Sequence, residues 1–278
     1  MKIKAHAKIN LCLNVVGKRQ DGYHELEMVM VPLELHDVLH IEVADHDVFT
    51  CSDDQLTMDD SNTIVKAVVL LRERFRLKEH FHIHVEKHIP AQAGLAGGSS
   101  DGAAVLRGIR ELLGLSITIE ELAQLGKQIG ADVPFCVMQT CAVVKGIGEK
   151  ITPFKLNCPF DILLVKPQAG VPTGKAFSML DFGKCAHPDC DKVAAALMNN
   201  AFEELPSVIA NSLEYSAFQI VPEIAKIEDE LREAGFPAVL MSGSGSTVFA
   251  LSRDSALIES TIVTMRERGY FAVKTHII

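Results

Sequence analysis

Pro90-Ala91-Gln92-Ala93-Gly94-Leu95-Ala96-Gly97-Gly98-Ser99-Ser100-Asp101-Gly102-Ala103-Ala104 is the most informative stretch of the chain. Before it, Phe81, Ile83 and Val85 alternate with His82, His84 and Glu86, the pattern of a half-buried strand. After it, Ala103 to Leu115 runs at helical spacing. Strand, glycine-rich loop and helix therefore follow one another. Glycines at 94, 97, 98 and 102 permit backbone conformations closed to other residues and let a ligand approach the peptide N–H groups. Ser99, Ser100 and Asp101 stand where the helix begins, so free N–H donors and the positive end of the helix dipole face whatever fills the loop. Such a place suits an anion, most naturally a phosphate. The same residues also describe a sharp strand-to-helix turn with an ordinary serine cap. No Gly-Lys-Ser/Thr ending makes this a P-loop, and no Gly-x-Gly-x-x-Gly run makes it a dinucleotide fold.

Outward from this stretch, strand and helix signals alternate. Ala7 to Val16 and Leu26 to Leu35 read as strands of an opening hairpin turned at Asp21-Gly22. Ile64, Val65, Val68, Leu71 and Phe75 recur at helical spacing, with Ser61 or Asn62 as the cap. A helix is predicted over Ile119 to Ile129, ended by Gly130, and strands over Phe135 to Val144 and Phe160 to Val165. The carboxyl-terminal part predicts helices at Val193 to Glu203, Ser207 to Phe218 and Glu223 to Ala234. An apolar strand, a glycine-serine turn, a strand ending near Leu251, a helix over Ser255 to Gly269 and a strand over Phe271 to Ile277 complete it. The fold class is α+β, with an amino-terminal domain over 1–157 and a carboxyl-terminal domain over 158–278 that starts at the proline-bracketed segment Cys158-Pro159 to Pro167.

Composition narrows the function classes. A chain of 278 residues, 48% hydrophobic, can bury a sizeable core and is long enough for two modest domains or one large one. Its net charge of −9, without clustered Lys and Arg, excludes a general nucleic-acid binder. No apolar run approaches the roughly 20 residues of a membrane span. The start, Met1-Lys2-Ile3-Lys4-Ala5-His6, lacks the apolar run of a secretory signal, so a cytoplasmic protein off the membrane is expected. Seven scattered cysteines (12, 51, 136, 141, 158, 185 and 190) read as reduced core thiols. His80, His82, His84 and His88 with Glu86 read as a solvated strand face, and Cys185-Ala186-His187-Pro188-Asp189-Cys190 lacks the partners a zinc site needs; no structural metal is expected.

Pro90 to Ala104 resembles the ATP-binding motif of the GHMP kinases. Three other regions extend the likeness in the family's order. They are Ala7-Lys8-Ile9-Asn10-Leu11 with Asp21-Gly22-Tyr23-His24, then Gly130-Ala131-Asp132-Val133-Pro134, and Ser242-Gly243-Ser244-Gly245-Ser246. The combination is similar to the family members that phosphorylate cytidine-diphospho-methylerythritol. The resemblance implies a ribosomal protein S5 domain 2-like amino-terminal domain, a ferredoxin-like carboxyl-terminal domain, ATP as co-substrate and Mg²⁺. It implies Asp132 as catalytic base and Lys8 as the cation beside it, where each alone reads as a turn carboxylate and a solvent-reaching edge-strand lysine. For ATP it implies Pro90, Gly94, Leu95, Ala96, Gly97, Gly98, Ser99, Ser100 and Asp101, with Ser99 and Ser100 nearest the metal and phosphates. For the substrate it implies Asn10 at the reacting end, His24 on the cytosine, Tyr23 on the nucleotide wall, Phe177 stacking on the base, and Gly243 and Ser244 in a second close backbone approach. Two departures fall in that wall: Pro172 stands where the family usually has Ser, and Lys145 where Arg is commoner. The rivals are a GHMP kinase for homoserine, mevalonate or a sugar, and a non-catalytic nucleotide-binding regulator on the same fold. Retention of both Lys8 and Asp132 argues against the second, and the sequence leaves a homodimer open.

Overall fold

The computed structural model describes residues 1–278. Two compact units interleave along the chain. The first comprises Met1–Ala7, Leu35–Pro90 and Ala96–Gln139; the second comprises Lys8–Glu34, Ala91–Leu95 and Thr140–Ile278. Strands β1 (Lys2–Lys18) and β2 (His24–Ala44) each run through both.

In the first unit the later half of β2 pairs antiparallel with β4 (His80–Glu86), from Val38 opposite Glu86 to Ala44 opposite His80. Strand β3 (Val48–Cys51) joins β4 in parallel. Phe81, Ile83 and Val85 are buried as their alternation predicts. On the other face His82 meets Glu42, His40 meets Glu86 and His84 meets Thr50, each at 2.8 Å. Helix α1 (Thr63–Phe75) is capped by Asn62, whose side chain accepts from Ile64 N–H, and it buries Ile64, Val65, Ala67, Val68 and Leu71. Helices α2 (Gly97–Leu112), α3 (Ile119–Gly126) and α4 (Val133–Met138) follow. Thr118 and Glu121 cap α3 reciprocally.

Two expectations are corrected here. The helix after the glycine-rich stretch starts at Gly97, two residues ahead of Ser99-Ser100-Asp101, which read as its start, and six ahead of the periodic run from Ala103, so Gly97 to Asp101 form its first turn. Low helix propensity left Gly97 and Gly98 in the loop of that reading, although at Gly102 glycine serves packing: a β-carbon there would lie 3.1 Å from Thr63 Cβ. The predicted strand over Phe135 to Val144 is a helix as far as Met138, and only Ala142–Gly146 is extended, as β5. Asp132-Val133-Pro134, a cap followed by proline in the first turn, outweighs the strand-like Val133, Phe135 and Val137.

In the second unit the earlier half of β2 pairs antiparallel with β5, from Leu26 opposite Gly146 to Met30 opposite Ala142, and β5 pairs with β6 (Lys150–Pro153). A separate antiparallel sheet has the order β10-β7-β9-β8, formed by β7 (Asp161–Lys166), β8 (Ala238–Met241), β9 (Val248–Ser252) and β10 (Phe271–Thr275). Its apolar β8 and β9 are buried at every residue. The unit's helices are α5 (Thr173–Ser178), α6 (Cys190–Met198), α7 (Leu205–Val208), α8 (Glu214–Ile220), α9 (Glu223–Glu233) and α10 (Ser255–Glu267). The single helix predicted over Ser207 to Phe218 is broken into α7 and α8, because Asn211 forms a bridge to Leu13 and its side chain accepts from Leu213 N–H. Short β3, β6 and α5 were outside the sequence expectation. Cys12 and Cys190 form a disulfide, which corrects the reading of all seven cysteines as free thiols. A separation of 178 residues gives no local signal for that pairing. No helix is long and apolar enough to cross a membrane.

Candidate functional site

In the first unit, α2 opens without a side-chain cap. Ala96 at the N-cap has φ 58° and ψ 29°, a left-handed conformation that turns the chain straight into the helix. The first N–H to return to a helix carbonyl is that of Ser100, on Ala96 O at 2.8 Å. The N–H groups of Gly97, Gly98 and Ser99 precede that bond and form the donor end of the helix. A β-carbon on Gly98 would have only Thr63 Oγ1 near it, at 3.8 Å, so the approach to this end is open. Ser100 is buried and its hydroxyl donates to His6 O. Ser99 is half-buried and lies beside the turn that leads into α4, since a β-carbon on Gly130 would be 3.9 Å from its Oγ. Half-buried Asp132 is the N-cap residue of α4; its carbonyl accepts from Cys136 N–H at 3.0 Å, while its carboxylate does not cap the helix.

Asp101 points inward. Its Oδ2 lies 2.6 Å from Lys87 Nζ, which also contacts Asp37 Oδ2. Asp37 is fully buried, and its Oδ1 accepts from the N–H groups of His88 and Ile89. Burial lifts the Asp101 carboxyl to about 7, the Asp37 charge adds to that rise, and Lys87 opposes it. Burial works against the Lys87 ammonium, but the two carboxylates outweigh it and hold its pKa above the ordinary lysine range. The network ties α2 to the segment after β4, so Asp101 braces the helix start while the main chain ahead of it faces outward.

In the second unit, Gly94 has φ 73°, and a β-carbon there would lie 2.0 Å from Ser242 O. Glycine is obligatory where these two backbones meet. Lys8 is 4% exposed, which overturns the solvent-reaching reading. Its Nζ donates to Asn10 Oδ1 at 2.7 Å and to Gly94 O at 3.3 Å, and its main-chain N–H donates to Leu95 O at 3.2 Å. A buried ammonium is costly unless hydrogen-bonded, and these oxygens meet that need. Asn10 is buried; its side-chain amide faces Met28 Sδ, and its main-chain N–H donates to Ser242 Oγ at 3.4 Å. A β-carbon on Gly243 would lie 3.0 Å from Gly94 O and 3.3 Å from Asn10 Oδ1. Thus Lys8, Asn10, Gly94 and Gly243 form one cluster. Ser244 Oγ pairs with Thr173 Oγ1 at 2.9 Å, at the start of the helix that carries Phe177.

His24 and Phe177 stack with ring centroids 5.0 Å apart and planes at 26°. Burial, with the Lys18 charge, holds the His24 pKa below its ordinary value, which favours the neutral imidazole. Tyr23 is 59% exposed, in the turn held by Arg19 N–H on Tyr23 O and by Tyr23 N–H on Asp21. Pro90 is half-buried and Leu95 buried. Lys145 pairs with Glu27 at 3.1 Å, and Pro172 is the residue before α5. Sequence reading missed Lys87, Asp37 and Asn211. For Asn211 a signal existed: Asn211-Ser212-Leu213-Glu214 is a helix-start pattern inside what reads as one helix.

Residues 62–140 match the GHMP kinases N terminal domain and residues 193–270 match GHMP kinases C terminal. The chain is 43% identical over 251 residues to the 4-diphosphocytidyl-2-C-methyl-D-erythritol kinase of Bacillus cereus strain B4264, a match covering 90% of this chain and 87% of that protein. The kinase of the same name from Bacillus cytotoxicus is similar to the same degree, 43% over 251 residues, with the same coverage. Among solved structures, a 4-(cytidine 5'-diphospho)-2C-methyl-D-erythritol kinase superposes with a TM-score of 0.82 at 30% identity, covering 99% of both chains. Homoserine kinase from Cytophaga hutchinsonii shares the fold, with a TM-score of 0.78 at 16% identity, over 100% of this chain and 94% of that one. The chain belongs to the GHMP kinase family and is an ATP-dependent phosphotransferase.

Proposed function

We propose that the chain transfers the γ-phosphoryl group of ATP to the 2-hydroxyl of 4-diphosphocytidyl-2-C-methyl-D-erythritol, a step of non-mevalonate isoprenoid precursor synthesis in the cytoplasm. The observation that carries this reading is the 43% identity over 90% of the chain to kinases named for that substrate. The stacked His24 and Phe177 support it: an aromatic platform suits a base, and a neutral imidazole offers the edge of cytosine one donor and one acceptor. Homoserine or mevalonate has no ring to use such a platform. The two family matches fall on either side of residue 157, in keeping with domains over 1–157 and 158–278.

In this reading the uncapped donor end of α2 receives the ATP phosphates. Its fit rests on the N–H groups of Gly97, Gly98 and Ser99 and on the open approach at Gly98. Asp101 acts by bracing that turn through Lys87. Mg²⁺ is a hard cation that takes oxygen ligands and keeps phosphates and water around it; the Ser99 hydroxyl is the protein oxygen suited to it, and the ion neutralises phosphate charge. Asp132 takes the proton of the attacking hydroxyl as its oxygen bonds to the γ-phosphorus, and the bond from that phosphorus to the bridging oxygen breaks to release ADP. Lys8 supplies positive charge to the reacting oxygens, and Asn10 orients the alcohol.

Coupled ADP release with ATP, Mg²⁺ and the cytidine-diphospho alcohol, run beside homoserine and mevalonate, tests the reading. Turnover confined to the cytidine compound, and reduced about 10²–10⁴-fold in Asp132→Asn as expected for loss of a general base, would uphold it. Turnover of homoserine or mevalonate instead would overturn the substrate assignment, and an active Asp132→Asn would remove Asp132 from the base role.

A further inference from the structure

The segment between α7 and α8 is held in place from several sides. Ala210 O accepts from Leu13 N–H at 3.1 Å, Ser212 N–H donates to Leu13 O at 2.8 Å, and Ser212 Oγ accepts from Val15 N–H at 3.0 Å. Asn211 is thereby laid against β1, three residues beyond Asn10, and is 1% exposed. Its Oδ1 accepts from Leu213 N–H at 2.9 Å. Its Nδ2 donates to Met241 O at 2.9 Å and to Gly243 O at 2.8 Å, so both amide protons are used. One helical turn on, Glu214 Oε1 accepts from Met241 N–H at 3.1 Å. Met241 is gripped at both of its main-chain polar groups.

Ser242 lies between the two carbonyls that Asn211 holds. Its hydroxyl donates to Gly94 O at 3.0 Å and accepts from Asn10 N–H, and its own N–H donates to Thr247 O at 2.8 Å. Peptide planarity converts the grip on carbonyls into control of the next N–H: fixing Gly243 O fixes the direction of Ser244 N–H, which points the opposite way. Glycine at 243, with φ 58°, leaves that peptide otherwise free to rotate. A side-chain amide with one donor on each flanking carbonyl removes that freedom.

We propose that Asn211 is a positioning residue for phosphoryl transfer, setting the Met241–Ser242 and Gly243–Ser244 peptide planes and thereby aiming Ser244 N–H at an anionic oxygen of the diphosphate-bearing alcohol. This rests on the proposed function, in which Gly243 and Ser244 face that substrate. The residue touches neither reactant, and its effect passes through the backbone it holds.

Asn211→Asp keeps the shape but replaces both donors with an oxygen against two carbonyls. Ser212→Ala is the control, since it removes hydrogen bonds of the same segment to β1 and to Ala186 O without touching Met241 or Gly243. Both are assayed well below their melting temperatures, on whichever alcohol the wild type phosphorylates. A wrong substrate assignment therefore shows in the wild type, and a wrong role for Asn211 shows in the variants. The expected result for Asn211→Asp is a fall in kcat/KM for the alcohol of about 100-fold, the loss of two hydrogen-bond-scale contributions, with KM for ATP little changed. Ser212→Ala keeps kcat/KM near wild type. Should Asn211→Asp fail to fold, Asn211→Ser, which keeps one hydroxyl donor, is read by the same ratio. A folded Asn211 variant with unchanged kcat/KM for the alcohol, or an equal loss in Ser212→Ala, overturns the proposal.

Discussion

The start of α2 and the meeting of Gly94 with Ser242 are both glycine-serine segments, and they use glycine for opposite reasons. At Gly98 the missing side chain leaves open space in front of free N–H donors. At Gly94 it leaves room for another backbone, 2.0 Å from where a β-carbon would stand. The first is a place for a ligand and the second is a joint. The two also differ in how they are braced. A lysine between two buried carboxylates anchors the first, whereas uncharged amide and hydroxyl hydrogen bonds hold the second, together with Lys8 on Gly94 O.

The largest expected effect of breaking this contrast comes from Gly94→Ala. The variant adds a side chain at positive φ directly against Ser242 O, and urea denaturation should show a loss of about 4 kcal/mol or a failure to fold. A loss below about 1 kcal/mol would mean that the joint yields easily.

Lys87→Met strips the counter-charge from Asp37 and Asp101 and is expected to cost about 3 kcal/mol at pH 8. The deficit shrinks as pH falls through about 7, because a protonated Asp101 carboxyl no longer needs the ammonium. In the wild type the sign follows from Asp101, lifted to about 7 from an ordinary 3.8. Between those values the folded state holds more protons than the unfolded one, so this carboxyl makes stability fall as pH rises from about 4 to 7. Asp101→Asn should flatten that interval in a series of denaturation curves, and an unchanged slope would place the titration elsewhere.

The smallest expected effect has the reverse sign. Gly98→Ala sits in a helix with room for its methyl group and should stabilise the fold by about 0.5 kcal/mol. The same methyl stands in front of the N–H donors, and KM for ATP should rise about tenfold, equivalent to 1.4 kcal/mol of binding. Stabilisation with unchanged ATP affinity would move the phosphates away from the start of α2.

Much of this contrast is legible in the residues themselves. The alternation in β4, the Asn62 cap of α1 and the apolar strands on either side of Ser242 to Ser246 follow from local pattern, and they are in the structure as read. The errors have local causes too: low helix propensity at Gly97 and Gly98 kept those two residues out of the first turn of α2, and strand-like Phe135 and Val137 outweighed the helix-start pattern ahead of them. What no window of sequence contains is long-range pairing. Lys87 with Asp37, Asn211 with Met241 and Gly243, and Cys12 with Cys190 join residues 30 to 178 positions apart. The family resemblance supplied the roles of Lys8 and Asp132, and the structure adds that Lys8 is buried on oxygens where the pattern of β1 alone suggested an edge residue.

The central claim is most directly tested by product analysis in a competition. The enzyme is given ATP, Mg²⁺ and an equimolar mixture of 4-diphosphocytidyl-2-C-methyl-D-erythritol, homoserine and mevalonate, and the products are resolved by mass spectrometry with ³¹P NMR to locate the new phosphate. The account predicts one new phosphomonoester, on the 2-hydroxyl of the cytidine compound, with ADP in equal amount. Phosphorylation of either of the other alcohols, with the cytidine compound left intact, would contradict it.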